Sequence, residues 1–271
     1  MKIGIIGYGS MGKMILEKIS ESNVVETENI YVANRTYEKI EHLTSCFNVC
    51  KDNVELAGAV NIIFICVRPT DIKEILNEIK PIISRNTIIV SLNGSVTFEL
   101  MEKVLEHKIA KVIPSITAEI NQSQTLICYN SLINSDDKEK LGKVLKCLGN
   151  IIELPEAEMG MGSELVSCMP GFIAAVFDVI SKSAKQHTTI PDEQIIQMLL
   201  HTMTSTGMLM LEKNYSFDKV VNRVATKGGI TEEGTKVIYE IFPKVADEVF
   251  KKTLEKRRVT TERAQKNFDE L

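Results

Sequence analysis

Met1-Lys2-Ile3-Gly4-Ile5-Ile6-Gly7-Tyr8-Gly9-Ser10-Met11-Gly12 decides the reading of this chain. The apolar run from Ile3 to Ile6 predicts a buried parallel strand that opens into G-x-G-x-x-G at Gly7, Gly9 and Gly12. Each glycine meets a different need. Gly7 permits the turn out of the strand, Gly9 lets backbone approach a pyrophosphate without a Cβ, and Gly12 lets the next helix pack closely on the sheet. A helix from Ser10 to Ser22 would aim its first N–H groups, those of Ser10 and Met11 among them, at phosphate oxygens. A strand before the glycines, a helix after them and a second strand about twenty residues on form the context that turns a weak motif into a dinucleotide site.

The second strand, Ile30 to Ala33, ends in Asn34-Arg35-Thr36. An acidic residue at this point would accept hydrogen bonds from ribose hydroxyls and repel a 2′-phosphate. An arginine with small polar neighbours would hold one instead, so the expected cofactor is NADP(H), with NAD(H) possible.

The remaining strands are expected near Val49, then at Asn61–Val67, Thr87–Leu92, Ile109–Ile113, Thr125–Tyr129 and Ile151–Leu154. Helices are expected at Tyr37–Phe47, Asp71–Ile79, Val96–His107 and Asp136–Leu148. This alternation specifies an α/β, Rossmann-type doubly wound sheet whose ligands lie beyond the carboxyl ends of the strands. Val67, Arg68 and Pro69, Asn93 and Gly94, and Pro114 and Ser115 therefore join the glycine turn on one rim as candidate cofactor-binding residues.

Pro155 marks a change of character. Residues 1–154 read as the nucleotide-binding domain. Residues 155–271 read as a smaller all-helical domain, with helices at Gly160–Lys185 (interrupted at Met169-Pro170-Gly171), Asp192–Lys213 and from Thr231 to Lys251 and beyond. Met198, Met203, Met208 and Met210 are expected to be mainly core. The domain is short for a self-sufficient core, which points to a homodimer or a higher homo-oligomer. The tail from Lys251, with Asp269-Glu270 near its end, reads as a solvated helix of mixed charge.

Bulk properties exclude several classes. A formal net charge of −4 gives no general attraction to nucleic acid or anionic membrane. Six scattered cysteines without a C-x-x-C pair or a histidine cluster argue against a metal site or a disulfide framework, and they fit a reducing cytoplasm. Met1 leads straight into the first strand, leaving no room for a signal peptide. No apolar run is expected to approach the roughly 20 residues a spanning helix needs, since Asp178 breaks the most apolar helix. His42, His107, His187 and His201 sit in helix-like or linker sequence and read as surface or core residues rather than catalytic ones.

A second candidate site follows the helical domain's second helix, at Thr226-Lys227-Gly228-Gly229-Ile230-Thr231-Glu232-Glu233-Gly234. A Gly-Gly turn ahead of a helix exposes N–H groups to a substrate carboxylate. Thr231 would cap the helix and Thr226 would line the pocket. A flexible turn with a simple cap explains the same residues equally well.

Taken together, the glycine fingerprint, Asn34-Arg35-Thr36, Val67-Arg68-Pro69 and the Gly-Gly-x-Thr turn resemble the pyrroline-5-carboxylate reductase family over nearly the whole chain. The resemblance implies reduction of the imine of 1-pyrroline-5-carboxylate to L-proline with NAD(P)H, by a nucleotide-binding domain paired with a helical dimerisation domain. It implies that Gly228, Gly229 and Ile230 offer N–H groups to the carboxylate while Thr231, the candidate catalytic residue, hydrogen-bonds the ring nitrogen. Lys227 stands beside that anion site.

The chain also departs from the family pattern. It carries Ile113-Pro114-Ser115-Ile116-Thr117 for Met-Pro-Asn-Thr-Pro. Cys168-Met169-Pro170 and Lys227-Gly228-Gly229 are further variants, and together they resemble the late-competence, ComER-like branch. That branch keeps a second function class open: an NADP(H)-binding paralogue with another substrate or a regulatory, competence-related role. A β-hydroxyacid dehydrogenase would need a lysine within a Gly-x-x-Gly-x-x-x-Lys helix, and Gly160 to Val166 has none.

Overall fold

Ile3, Ile5 and Ile6 are almost fully buried in strand β1 (Ile3–Ile6), as a run covered on both faces requires. The computed structural model describes residues 1–269. β1 feeds helix α1 (Ser10–Glu21), and β2 (Ile30–Ala33) and β3 (Asn48–Val49) follow. Helix α2 (Asn53–Ala59), with Asp52 accepting from the Glu55 N–H as its cap, leads to β4 (Ile62–Ile65). Helix α3 (Ile72–Ile79), β5 (Ile88–Ser91), helix α4 (Phe98–Val104) and β6 (Ile109–Ile113) continue the alternation. β7 (Ser123–Tyr129), helix α5 (Ser135–Leu145) and β8 (Gly149–Glu153) complete the eight-stranded sheet.

The strand order is β3-β2-β1-β4-β5-β6-β7-β8, parallel except for the β6–β7 pair. The order reverses at β1, between β2 and β4, and that switch point opens the crevice at which such sheets bind ligands. Two apolar clusters pack the two faces of the sheet, one around Ile63, Ile65 and Leu76, the other around Ile5, Phe64 and Leu16. Inside, Lys111 on β6 is 1% exposed, and its Nζ pairs with Glu156 Oε1 at 2.9 Å.

The chain forms two compact units, one of residues 1–170 with the segment from Leu254 onward, the other of Gly171–Thr253. The last strand ends at Glu153, where the composition changes, yet packing carries the first unit on to Pro170. The helical part comprises α6 (Met159–Ser163), α7 (Met169–Ala184), α8 (Asp192–Lys213), α9 (Phe217–Val224) and α10 (Ile230–Asp269).

Several sequence expectations are corrected. Tyr37–Phe47 holds two 3₁₀ turns rather than an α-helix, and Thr44 Oγ1 donates to the Glu41 carbonyl at 2.8 Å, a local bond that competes with the helical ladder. The Val96–His107 helix is shorter, because Thr97 caps it and it ends at Val104. Pro170 does not interrupt its helix. The irregularity lies one turn earlier, in a π-turn at Glu164–Cys168. That widened turn absorbs the N–H that Pro170 lacks and the bulk of its ring.

The helical run Glu156–Ala184 is therefore continuous, and by length and composition it is apolar enough to cross a membrane, contrary to the expectation that none is. Asp178 does not break it, being paired with Lys182 on the helix surface at 2.6 Å. Met198 and Met208 are more than half exposed in the single chain and Met203 and Met210 are half-buried, so the single chain does not bury these methionines as a core of its own. The charged tail is not wholly solvated, since Ala264 and Phe268 are buried; of its Asp269-Glu270 pair, Glu270 lies outside the described residues.

Candidate functional site

The carboxyl ends of β1, β2 and β4 are tied together by backbone. The Gly7 N–H donates to the Ala33 carbonyl at 2.9 Å and the Cys66 N–H to the Ile6 carbonyl at 2.8 Å. Gly7 turns with φ +94°, and a Cβ there would lie 2.8 Å from the Cys66 carbonyl oxygen. A Cβ on Gly12 would come within 2.0 Å of the Gly7 carbonyl oxygen, so the helix starts this close to the strand only without one. Gly9, by contrast, faces open space, as a backbone position meant for a ligand should. Asn34 closes the loop. Its Oδ1 accepts from the Tyr8 N–H at 2.9 Å and its Nδ2 donates to the Thr36 carbonyl at 2.8 Å.

A cavity of about 850 Å³ opens on this edge. Among the expected cofactor residues, Gly7, Gly9, Met11, Asn34, Arg35, Thr36, Val67 and Arg68 line it. Ser10, Gly12, Pro69, Asn93, Gly94, Pro114 and Ser115 do not. Ser115 is 2% exposed, and its hydroxyl oxygen accepts from the Thr117 N–H in a local turn. Lys39 and Lys51 also line the cavity and were missed by sequence reasoning. Neither belongs to a motif, and only the 3₁₀ geometry after β2 and the short β3 bring them to the same cavity as Arg35. Cys66 lines the cavity as well, where burial pushes its thiol up to about 12, leaving it uncharged and unreactive.

In the second unit, the chain turns between α9 and α10 at Gly228, with φ +73°. The Gly229 N–H donates to the Thr226 carbonyl at 2.8 Å, and a Cβ on Gly229 would meet Thr226 Oγ1 at 2.6 Å. The Gly228 N–H donates to Glu232 Oε2 at 2.7 Å. Ile230 begins the helix, so Thr231 lies one residue inside it rather than capping it. Thr231 and Lys227 are exposed, and Ile230 is 94% exposed. Among the described residues no cluster of histidine, cysteine and carboxylate side chains forms a metal site.

Comparison with known proteins supplies the decisive observation. The chain is 37% identical to pyrroline-5-carboxylate reductase 3 of Bacillus subtilis (strain 168), over 98% of each chain. The chain belongs to the pyrroline-5-carboxylate reductase family. Residues 156–260 match the model of pyrroline-5-carboxylate reductase dimerisation, and residues 2–94 that of NADP oxidoreductase, coenzyme F420-dependent. ComE operon protein 4 of the same bacterium is 28% identical over 93% of this chain and 94% of its own. A pyrroline-5-carboxylate reductase structure from Coxiella burnetii covers 98% of each chain with a TM-score of 0.83 at 24% identity, and that similarity confirms the fold. A Plasmodium falciparum pyrroline carboxylate reductase with NADP bound covers 99% of this chain and 98% of its own, with a TM-score of 0.82 at 21% identity.

Within this family the helical residues match a dimerisation region, and this gives a physical account of the exposed apolar residues there. Val179, Met198, Met208, Val237, Ile238 and Tyr239 are each more than half exposed in the single chain. Surfaces of this kind mark association sites.

Proposed function

We propose that this chain reduces a cyclic imine, 1-pyrroline-5-carboxylate, to L-proline as a homodimer in the cytoplasm, with NADPH preferred over NADH. One observation carries the reading: a family member's full length is joined to an intact dinucleotide crevice, in which Gly9 faces open space and Gly12 seats the helix. The cavity fits the cofactor by its donors. The α1 N-terminus at Ser10 and Met11 would meet the pyrophosphate, while Arg35, Lys39 and Lys51 line the same cavity as Thr36 and would offer cations to a 2′-phosphate. Val67 and Arg68 line the same cavity, and Pro69, Asn93, Gly94, Pro114 and Ser115 follow the carboxyl ends of β4, β5 and β6, where the proposed site would continue toward the reacting end.

When bound, the reduced nicotinamide supplies hydride to the imine carbon. The chain's own residues bind and orient. In this reading Gly228, Gly229 and Ile230 present the turn to the substrate carboxylate, and Thr226 and Lys227 flank it. Thr231, the residue placed in catalysis, donates its hydroxyl to the ring nitrogen as that nitrogen gains electron density. A neutral hydroxyl is a poor acid, so the proton on nitrogen is either already present in the protonated imine or supplied by water, the Thr231 hydroxyl holds the nitrogen, and positioning supplies much of the rate. Six free thiols suit a reducing compartment.

The Gly228–Glu232 hydrogen bond favours a second reading, in which the chain binds the nucleotide but takes another substrate or regulates, because a carboxylate of the chain already holds the turn. A β-hydroxyacid dehydrogenase is disfavoured, since Gly160–Val166 offers no lysine for that chemistry. Oxidation of NADPH and of NADH, each with 1-pyrroline-5-carboxylate, tests the proposal. Turnover with NADPH at the higher kcat/KM is expected. Nucleotide binding without turnover would move the assignment to the second reading, and no nucleotide binding would end both.

A further inference from the structure

Glu164 is 1% exposed, yet only one of its carboxylate oxygens is used. Oε1 accepts from Arg257 Nη2 at 2.7 Å and from Arg257 Nε at 3.3 Å, and Nη2 also donates to Ser163 Oγ at 3.1 Å. Oε2 has no hydrogen-bond partner among the described residues. A buried carboxylate left half satisfied is costly, so a fold retains one only for a reason. The site is irregular too, for Glu164 opens the π-turn Glu164–Cys168, a helix distortion frequent at functional positions. At the end of that turn, burial and then the Glu164 carboxylate push the Cys168 thiol up, so it adds no charge of its own.

Arg257 reaches this carboxylate from α10 past two glycines. A Cβ on Gly160 would lie 3.4 Å from Arg257 Cδ, and a Cβ on Gly94 would lie 3.3 Å from Arg257 Nη1. Gly94 follows the carboxyl end of β5, on the rim where ligands of such sheets lie. Nη1 has no hydrogen-bond partner among the described residues, although Nε and Nη2 are both committed. The guanidinium is thus held on one side by a buried acid and directs its remaining N–H groups toward the rim. A planar fork fixed in this way suits an sp² oxygen acceptor, and lysine would not reproduce it.

We propose that Arg257 contacts an sp² oxygen at the reacting end of the reductase site, and that Glu164 is the positioning residue that fixes its guanidinium. The proposal rests on the reductase reading above. The acceptor is either the carboxamide oxygen of the nicotinamide or the carboxylate of the imine substrate, and binding measurements separate the two.

The full-length variants Arg257→Ala, Arg257→Lys and Glu164→Gln serve as the test, with NADPH affinity measured by fluorescence titration and kcat and KM measured for 1-pyrroline-5-carboxylate. A carboxamide contact predicts NADPH binding weakened about ten- to hundredfold by Arg257→Ala, the range of a charge-assisted hydrogen bond. A carboxylate contact predicts unchanged NADPH binding and an imine KM raised by the same factor. In either case Arg257→Lys fails to restore the loss, whereas millimolar guanidinium ion partly rescues Arg257→Ala, which a purely structural role would not show. Glu164→Gln, which keeps size and an acceptor, is expected to lose part of the same constant. Unchanged NADPH affinity and unchanged imine KM in Arg257→Ala overturn the proposal. A wild-type protein that neither binds NADPH nor turns over the imine identifies the failure as that of the reductase reading instead.

Discussion

The backbone N–H of Gly228 donates to Glu232 Oε2 at 2.7 Å, closing the Gly-Gly turn with a carboxylate from the first turn of the following helix. A glutamate three residues into a helix that reaches back to the N–H groups before it is a normal capping device, and its charge complements the helix dipole. Here it holds the same N–H that a substrate carboxylate would use. In the proposed function a bound acid would therefore have to displace an internal one, and that competition would set substrate affinity.

Removing the competitor should strengthen substrate binding. Glu232→Ala is expected to lower the KM for 1-pyrroline-5-carboxylate by roughly three- to tenfold, the net worth of one hydrogen bond. NADPH affinity should stay as it was. Thr231→Ala is its counterpart, expected to lower kcat/KM with NADPH binding intact. Steady-state kinetics on both variants checks the pair, and a KM that rises in Glu232→Ala would mean the turn is not the carboxylate site.

Gly9 and Gly12 separate cofactor binding from folding. A Cβ at position 12 would sit 2.0 Å from the Gly7 carbonyl oxygen, so Gly12→Ala must displace α1 and should cost about 1–3 kcal/mol, as overpacking does. Among the described residues nothing lies within 4 Å of a Cβ at position 9. Gly9→Ala should therefore melt within about 0.5 kcal/mol of wild type, yet bind NADPH poorly because the methyl takes the phosphates' space. Thermal melts beside fluorescence titrations distinguish the two. Equal NADPH affinity in Gly9→Ala and wild type would place the pyrophosphate elsewhere.

The contrast also shows what could be read from the sequence. Residues Ile3 to Gly12 announce the crevice because a strand, a turn and a helix start each demand their own residue type, and neighbouring residues satisfy all three. Asn61–Val67 was legible for a similar reason, since a strand buried on both faces leaves a continuous apolar run. What was lost depends on contacts distant in sequence. Lys39 and Lys51 reach the cavity through turns without a motif. Arg257 meets Glu164 across 93 residues, a pairing that no local pattern encodes. The displaced irregularity near Pro170 was misread because proline signals a break, whereas a π-turn lets the helix continue through it.

Arg35 should set the choice between NADPH and NADH. It lines the cavity with Lys39 and Lys51, and no carboxylate stands at the end of β2, where Asn34, Arg35 and Thr36 follow. Arg35→Ala is expected to raise the KM for NADPH about tenfold, the loss of one charge-assisted contact, and to change that for NADH less than about twofold. Parallel kinetics with the two nucleotides checks it. Equal effects on both would remove Arg35 from 2′-phosphate recognition.

His107 should shape the acid limb of stability. It is 7% exposed in the turn before β6, and its Nε2 has no hydrogen-bond partner among the described residues. Burial is the largest influence and lowers its pKa below the usual 6.5; the nearby Lys108 adds to this, while hydrogen bonds with the backbone at Thr87 and Ser84 oppose it. As pH falls through 6.5 the unfolded chain takes up this proton while the folded chain does not, so stability declines until the folded pKa is reached. Each tenfold difference in proton affinity is worth about 1.4 kcal/mol. His107→Asn keeps a donor near the position of Nδ1 but cannot titrate. Between pH 7.5 and 5.5 (roughly one unit either side of the free histidine value), urea denaturation should show wild type losing more stability than His107→Asn, and equal losses would mean that His107 is protonated in the folded protein.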